Sequence, residues 1–256
     1  MTELKALIFD VDGTLADTEK DGHRVAFNKA FEQAGLDWDW SVALYGKLLK
    51  VTGGKERIRF YLDEYNREYN RPDNLDEFIA DLHKNKTAFY TQMLSEGVIP
   101  LRQGVKRLIL EAREAGMRMA IATTTTPENV SALLVHTLDK EAESWFEVIA
   151  AGDIVPAKKP AADIYTYALN EMGLQAIDCL AFEDSHNGIL SSMGADLVTI
   201  ITVNEYTEDH DFSGAAIVLD NMGEPDRGYK VISGIQPCES FLNLNVLRQI
   251  HQQALA

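Results

Sequence analysis

Two cysteines in 256 residues, Cys179 and Cys238, are too few and too far apart to frame a disulfide scaffold, and no Cys/His cluster has zinc spacing. Long apolar runs are missing as well. Nothing approaches the roughly 18 uninterrupted apolar residues that a membrane-spanning helix needs. No leader pattern precedes Leu4, and the first residues pass directly into an apolar segment. Basic residues are scarce: 24 Lys and Arg stand against 40 Asp and Glu, for a net charge of −16. Such a surface repels nucleic-acid phosphates, so DNA and RNA are poor partners for it. No internal repeat or low-complexity segment is present. The expectation is a cytoplasmic protein with no membrane and no nucleic-acid partner. Acidity has a further corollary. A phosphorylated ligand must be met by a few locally placed cations, so single Lys and Arg residues beside glycines become informative.

What is present is an ordinary hydrophobic content of 46%, in a chain long enough for one large domain or a core with an insertion. Leu4–Phe9 is short and apolar enough for a buried parallel strand. Further strands are expected at Met117–Ala122, Phe146–Ala150, Asp178–Phe182, Leu197–Val203 and Ala216–Leu219. Helical patterns alternate with them at Leu101–Ala115, Pro127–Leu138, Pro160–Met172 and Ser185–Met193, and Glu239–Ala256 reads as a terminal amphipathic helix. This alternation predicts an α/β fold, a parallel sheet with helices on both faces. Between the first strand and the rest the pattern is helical only: Arg24–Ala34, Trp40–Leu49, Lys55–Tyr69 and Leu75–Leu94, with breaks at Gly35, Thr52-Gly53-Gly54 and Arg71-Pro72-Asp73. We therefore expect a core of residues 1–16 and 90–256 interrupted by an all-helical cap of residues 17–89. A cap of that kind serves to exclude water and contact substrate.

The first strand runs into Asp10-Val11-Asp12-Gly13-Thr14-Leu15. Side chains at i and i+2 of an extended segment point the same way, so Asp10 and Asp12 can share one pocket at the strand's C-terminal end. Open α/β sheets place their ligands at that edge. One carboxylate can serve as nucleophile and metal ligand while the other moves protons. Three later segments add complementary groups. Ala122-Thr123-Thr124-Thr125-Thr126-Pro127 sets hydroxyls and main-chain N–H groups at a helix start, which suits a phosphate as well as plain capping by Thr126. Lys158-Lys159-Pro160 offers an ammonium for a phosphoryl oxygen, although paired lysines are commonly solvated surface. Glu183-Asp184 ends a strand where carboxylates suit Mg2+, or where an Asp caps the following helix.

Asp-x-Asp, Thr, Lys and Asp in that order, each at a strand end, resemble the haloacid dehalogenase-type phosphohydrolases. The resemblance spans the chain and implies a Rossmann-like core with an inserted cap. It further implies Asp10 as nucleophile, Asp12 as general acid and base, and Thr123, Thr124 and Lys159 holding the transferred oxygens. Mg2+ would be held by Asp10, the Asp12 carbonyl, Asp184 and, directly or through water, Glu183. Within that group, Leu15-Ala16-Asp17-Thr18-Glu19, Thr52-Gly53-Gly54-Lys55-Glu56-Arg57-Ile58, Ala122-Thr123-Thr124-Thr125 and Ala151-Gly152-Asp153 resemble the CbbY-type sugar-phosphate phosphatases. That branch is associated with removing the C1 phosphate of xylulose 1,5-bisphosphate. The stretch Glu19–Arg24 differs from its pattern by one extra residue before His23.

Thr52, Gly53 and Gly54 precede a helix start with Lys55 and Arg57 close by, an arrangement suited to a second, non-reacting phosphate or to a plain glycine turn. Glu19 is placed to accept hydrogen bonds from sugar hydroxyls, and Thr125 to support substrate beside Thr124. A β-phosphoglucomutase-like enzyme would use the same nucleophile and return the phosphoryl group to a sugar. A receiver-like phospho-acceptor would carry similar strand-end acids, but has little use for Asp12 or for a cap. The expected partner is a small sugar phosphate, and a monomer is compatible with it.

Overall fold

The computed structural model describes residues 3–51 and 53–256. Seven strands lie in the chain order β1 Ala6–Phe9, β2 Arg118–Ala122, β3 Val148–Ala150, β4 Cys179–Glu183, β5 Val198–Thr202, β6 Ile217–Leu219 and β7 Val231–Gly234. The helices are α1 Arg24–Gln33, α2 Val42–Leu48, α3 Gly54–Glu64, α4 Leu75–Ser95, α5 Val105–Glu114, α6 Pro127–Thr137, α7 Asp163–Met172, α8 His186–Gly194 and α9 Leu244–Ala254. Two compact units result, Met1–Asp17 with Pro100–Ala256, and Thr18–Ile99. Among the described residues no helix is long and apolar enough to cross a membrane.

The first unit is a Rossmann-like sheet in the order β3-β2-β1-β4-β5-β6-β7, parallel except for β7. β1 is buried along its whole length, as a central strand covered on both faces must be. Its alternate residues Ala6 and Ile8 join Ala120, Ala122, Cys179 and Ala181 in one layer against Ile164, Tyr165, Ala168 and Leu169 of α7. Mostly small side chains on this sheet face allow the helix to approach closely. On the other face Phe9 stacks on Phe182 with ring centroids 4.6 Å apart and meets Phe146 edge-on. The strand order reverses direction between β1 and β4, which pair in register with Phe9 opposite Phe182. The residues that follow these two strands therefore emerge side by side at the topological switch point, where such sheets bind ligands.

The second unit holds α1–α4 around an aromatic cluster in which Phe27, Phe31, Trp40 and Tyr45 are fully buried. Trp40 lies 4.7 Å from Phe27 and 4.9 Å from Phe31 between ring centroids. A π-helical turn, Thr18–His23, leads into α1. The extra residue expected before His23 falls within this turn. Gly22 is needed inside it, because a Cβ there would sit 2.7 Å from the Tyr90 ring.

Several boundaries differ from expectation. The helical unit ends at Ile99, because α4 runs unbroken to Ser95 across the anticipated boundary at residue 89. α2 begins at Val42, with Ser41 accepting from the Leu44 N–H as its cap, while Trp40 belongs to the aromatic core. α3 stops at Glu64, five residues short of Tyr69. α7 begins at Asp163, so Lys159-Pro160 lies in the turn before it and not at its first residue. Strand β7 was not anticipated; it is a partly exposed edge strand antiparallel to β6.

Candidate active site

Asp10 follows β1 directly, and its N–H donates to the Phe182 carbonyl on β4. The chain then turns sharply, with the N–H groups of Thr14 and Leu15 both donating to the Val11 carbonyl. Gly13 makes the turn possible on two counts: its φ is +87°, and a Cβ on it would lie 2.1 Å from an Asp184 carboxylate oxygen. Asp12 is half-buried on the same turn.

Lys159 joins the two central strand ends. Its Nζ donates to Asp10 Oδ1 and to Glu183 Oε1, both at 2.6 Å, with all three side chains under a tenth exposed. The Tyr165 hydroxyl donates to the same Glu183 oxygen at 2.7 Å, and the Asp184 N–H reaches Glu183 Oε2 at 3.3 Å. Its neighbour Lys158 is half-exposed and pairs with Asp153, so one lysine of the pair is surface and the other is site. Ser185, rather than Asp184, caps α8 by accepting from the Gly188 N–H. That leaves the Asp184 carboxylate for the site, where the Asn204 amide donates to its Oδ2 at 2.7 Å.

Thr123 follows β2 and is buried, and its hydroxyl accepts from the Thr125 N–H at 3.3 Å. Thr124 is exposed, and the Thr125 hydroxyl accepts from the Asn129 amide. Thr126 caps α6 with Pro127 at its first position, as expected.

Asp10, Glu183 and Asp184 each offer a carboxylate oxygen, and these oxygens lie within 4.8 Å of one another. Asp12 is not in this group; its expected role as a ligand concerned the main-chain carbonyl. Three buried carboxylates face one buried ammonium, an excess of negative charge that costs several kcal/mol per unpaired ion. The charge excess leaves its mark on protonation. Burial, then the neighbouring Asp10 and Glu183 charges, push Asp184 well above the usual carboxylate range. Burial likewise lifts Glu183 to about 7, with Asp10 adding and Lys159 opposing. Burial disfavours the Lys159 ammonium, but the Asp10 and Glu183 charges outweigh it and raise its pKa. A hard divalent cation is the group this donor set fits: oxygen ligands and surplus negative charge.

The helical unit has its own buried polar cluster. The Tyr45 hydroxyl donates to Glu19 Oε2 at 2.6 Å and accepts from Arg57 Nη1 at 2.8 Å. Lys86 Nζ donates to His23 Nδ1 at 2.8 Å and lies about 5 Å from the rings of Phe27 and Tyr90. Burial opposes ionisation of Glu19, yet the Arg57 charge and the Tyr45 hydroxyl hold its carboxyl below the ordinary value. Glu19 and Arg57 of the expected set thus meet. Lys55 is exposed at the start of α3. Gly53 has a φ of +95°, and a Cβ on Gly54 would lie 2.4 Å from the His83 ring. Thr52 lies outside the described residues. Tyr165, Asn204, Tyr45 and Lys86 were not anticipated; each reads in sequence as an ordinary core aromatic, loop amide or helix-surface lysine.

Residues 4–195 match the sequence profile of the haloacid dehalogenase-like hydrolases. The chain is 52% identical over 213 residues to Protein CbbY of Rhodobacter capsulatus, covering 83% of this chain and 91% of that one. It is 30% identical over 190 residues to the fructose-1-phosphate phosphatase YqaB of Escherichia coli, covering 74% and 91%. A crystal structure of CbbY (mutant D10N) from Rhodobacter sphaeroides in complex with xylulose-(1,5)bisphosphate superposes with a TM-score of 0.72 at 44% identity, covering 87% of this chain and 96% of that one. With Asp10 and Glu183-Asp184 at neighbouring strand ends and Lys159 joining them, the chain belongs to the haloacid dehalogenase-like hydrolase family and is a phosphatase of sugar phosphates.

Proposed function

We propose that this protein hydrolyses a sugar bisphosphate in the cytoplasm through a phosphoryl group carried on Asp10, and that its substrate is xylulose 1,5-bisphosphate, released as xylulose 5-phosphate. One observation carries the reading: Lys159 bridges Asp10 and Glu183 beside Asp184, the arrangement that aims a carboxylate at phosphorus and shields it from neighbouring charge. The substrate follows from the likeness to a CbbY seen with that bisphosphate.

Asp10, Asp184 and the Asp12 carbonyl would hold Mg2+, with Glu183 in direct or water-mediated support. When bound, the ion offsets repulsion between an anionic nucleophile and an anionic phosphate. An Asp10 oxygen forms a bond to phosphorus as the bond to the sugar oxygen breaks, and protonated Asp12 gives its proton to that departing oxygen. Asp12, now a carboxylate, takes a proton from water, which attacks the phosphorus and frees Asp10. Thr123, Thr124 and Lys159 hold the transferred oxygens, whose charge is best met by donors already in place. In the helical unit we assign Lys55 and Arg57, with Thr52, Gly53 and Gly54, to the second phosphate. Glu19 is assigned to sugar hydroxyls and Thr125 to support of Thr124. The protein acts as a monomer on a small molecule.

The test is a panel of sugar mono- and bisphosphates assayed with Mg2+ for both released phosphate and isomerised sugar phosphate. Phosphate release with the highest kcat/KM on a ketose bisphosphate is expected, abolished by Asp10→Asn and by chelation of the metal. Undiminished turnover by Asp10→Asn would remove the nucleophile. Isomerised hexose phosphate as the main product would turn the reading to a mutase.

A further inference from the structure

Arg102 lies just after residue 99, where the chain rejoins the sheet unit, and its side chain is 7% exposed. Every nitrogen of its guanidinium is engaged. Nη1 donates to the carbonyls of Gly13 and Thr202 and to the Thr202 hydroxyl, Nη2 donates to the carbonyls of Val203 and Asp220, and Nε pairs with Asp17 at 3.2 Å. The acceptors follow a pattern. Strand ends that diverge at a parallel sheet's edge leave main-chain carbonyls without ladder partners, and buried carbonyls need donors. A planar, permanently charged fork can serve several at once where a lysine cannot.

One of those acceptors lies against Asp184, and another precedes a residue that bonds to it. Gly13 packs so tightly on its carboxylate that no side chain fits between them. Val203 immediately precedes Asn204, whose amide donates to Asp184 Oδ2 at 2.7 Å. Asn204 is itself held: its N–H donates to the Thr207 hydroxyl, and its side-chain oxygen accepts from the Tyr206 N–H. We infer that Arg102 is a positioning residue for the metal site, holding together the Gly13 turn and the Val203–Asn204 segment, which both meet Asp184 at Oδ2. This inference rests on the magnesium reading above and extends it to residues that touch neither phosphate nor cation.

The test is direct cation uptake by the full chain. Unaltered protein, Arg102→Lys and Asn204→Ala are stripped of metal, checked by circular dichroism and melting, then titrated with Mg2+ by calorimetry and with Mn2+ by electron paramagnetic resonance. Each substitution is expected to weaken uptake about tenfold, the scale of outer-shell changes at metal sites. The double variant should weaken it by less than the product of the two, because both act on one carboxylate. At saturating Mg2+ the KM for a sugar phosphate should stay within about twofold in Arg102→Lys. A melting temperature that falls while folded Arg102→Lys and Asn204→Ala keep full affinity would overturn the inference and leave Arg102 a structural brace. Should Arg102→Lys fail to fold, full affinity in Asn204→Ala overturns it alone. No cation uptake by the unaltered protein removes the magnesium reading, and this inference with it.

Discussion

At Gly188 a single hydrogen separates helix α8 from the Glu183 carboxylate: a Cβ there would lie 1.8 Å from Oε2. Elsewhere in a helix, Gly→Ala would stabilise by about 1 kcal/mol. Here the added methyl must displace the acid that holds Lys159 on Asp10, and misplacement by about 1 Å can cost 10²-fold in rate. Gly188→Ala should therefore lower kcat on the order of 100-fold, read by steady-state kinetics, with the helix content unchanged by circular dichroism. Glycines of this kind are legible in sequence only as part of a motif, since their reason is a side chain contributed by another residue. The same holds for Tyr165 and Asn204. Asp10, Glu183 and Asp184 could be read from strand ends; Lys159, expected at one too, lies instead in the turn before α7, and Tyr165 occupies an apolar helical face and shows its polar use only once Glu183 lies beside it.

Among the elements, the π-helical turn Thr18–His23 sets up a pH response. Lys86 donates to His23 Nδ1, which requires an unprotonated imidazole. Burial pushes His23 down to about 3, with Glu19 opposing and Lys86 adding to the fall. Between about pH 6.5 and 3 the unfolded chain then binds a proton that the folded one does not, so folding stability is lost as pH falls through that window. Urea unfolding of the native chain against His23→Gln should show the native chain losing stability relative to the variant from pH 7 toward pH 4. Equal slopes would show that His23 protonates freely. Elements were read from sequence where their burial is two-sided. Continuous apolar runs marked the parallel strands, while β7, with Ile232 half-exposed at the sheet edge, carries no such run. The π-turn has no periodicity of its own, so nothing in the sequence marks it. Trp40 read as helical because it is apolar; its burial among aromatic rings outweighs helix continuation.

On the proposed reading, chemistry and selection fall to different units. The reactive carboxylates and Lys159 belong to the sheet unit, and Lys55, Arg57 and Glu19 to the helical one. If Lys55 grips a second phosphate, its loss removes a charge-assisted contact of about 1.5–3 kcal/mol. Lys55→Ala should then raise KM for a ketose bisphosphate at least tenfold and leave KM for a small monophosphate ester within twofold; equal effects on both would withdraw that role. The net charge of −16 sharpens the point, because an anionic substrate finds its few cations against a repelling background.

Ala16 and Leu101 pair as an isolated antiparallel bridge, and the Arg102 N–H donates to the Leu15 carbonyl, both within the sheet unit. For the sheet, everything threaded between those two points is one closed excursion. Closing such an excursion grows costlier only with the logarithm of its length. The helical module can thus grow or shrink with little change in what it costs the sheet to bring those two points together.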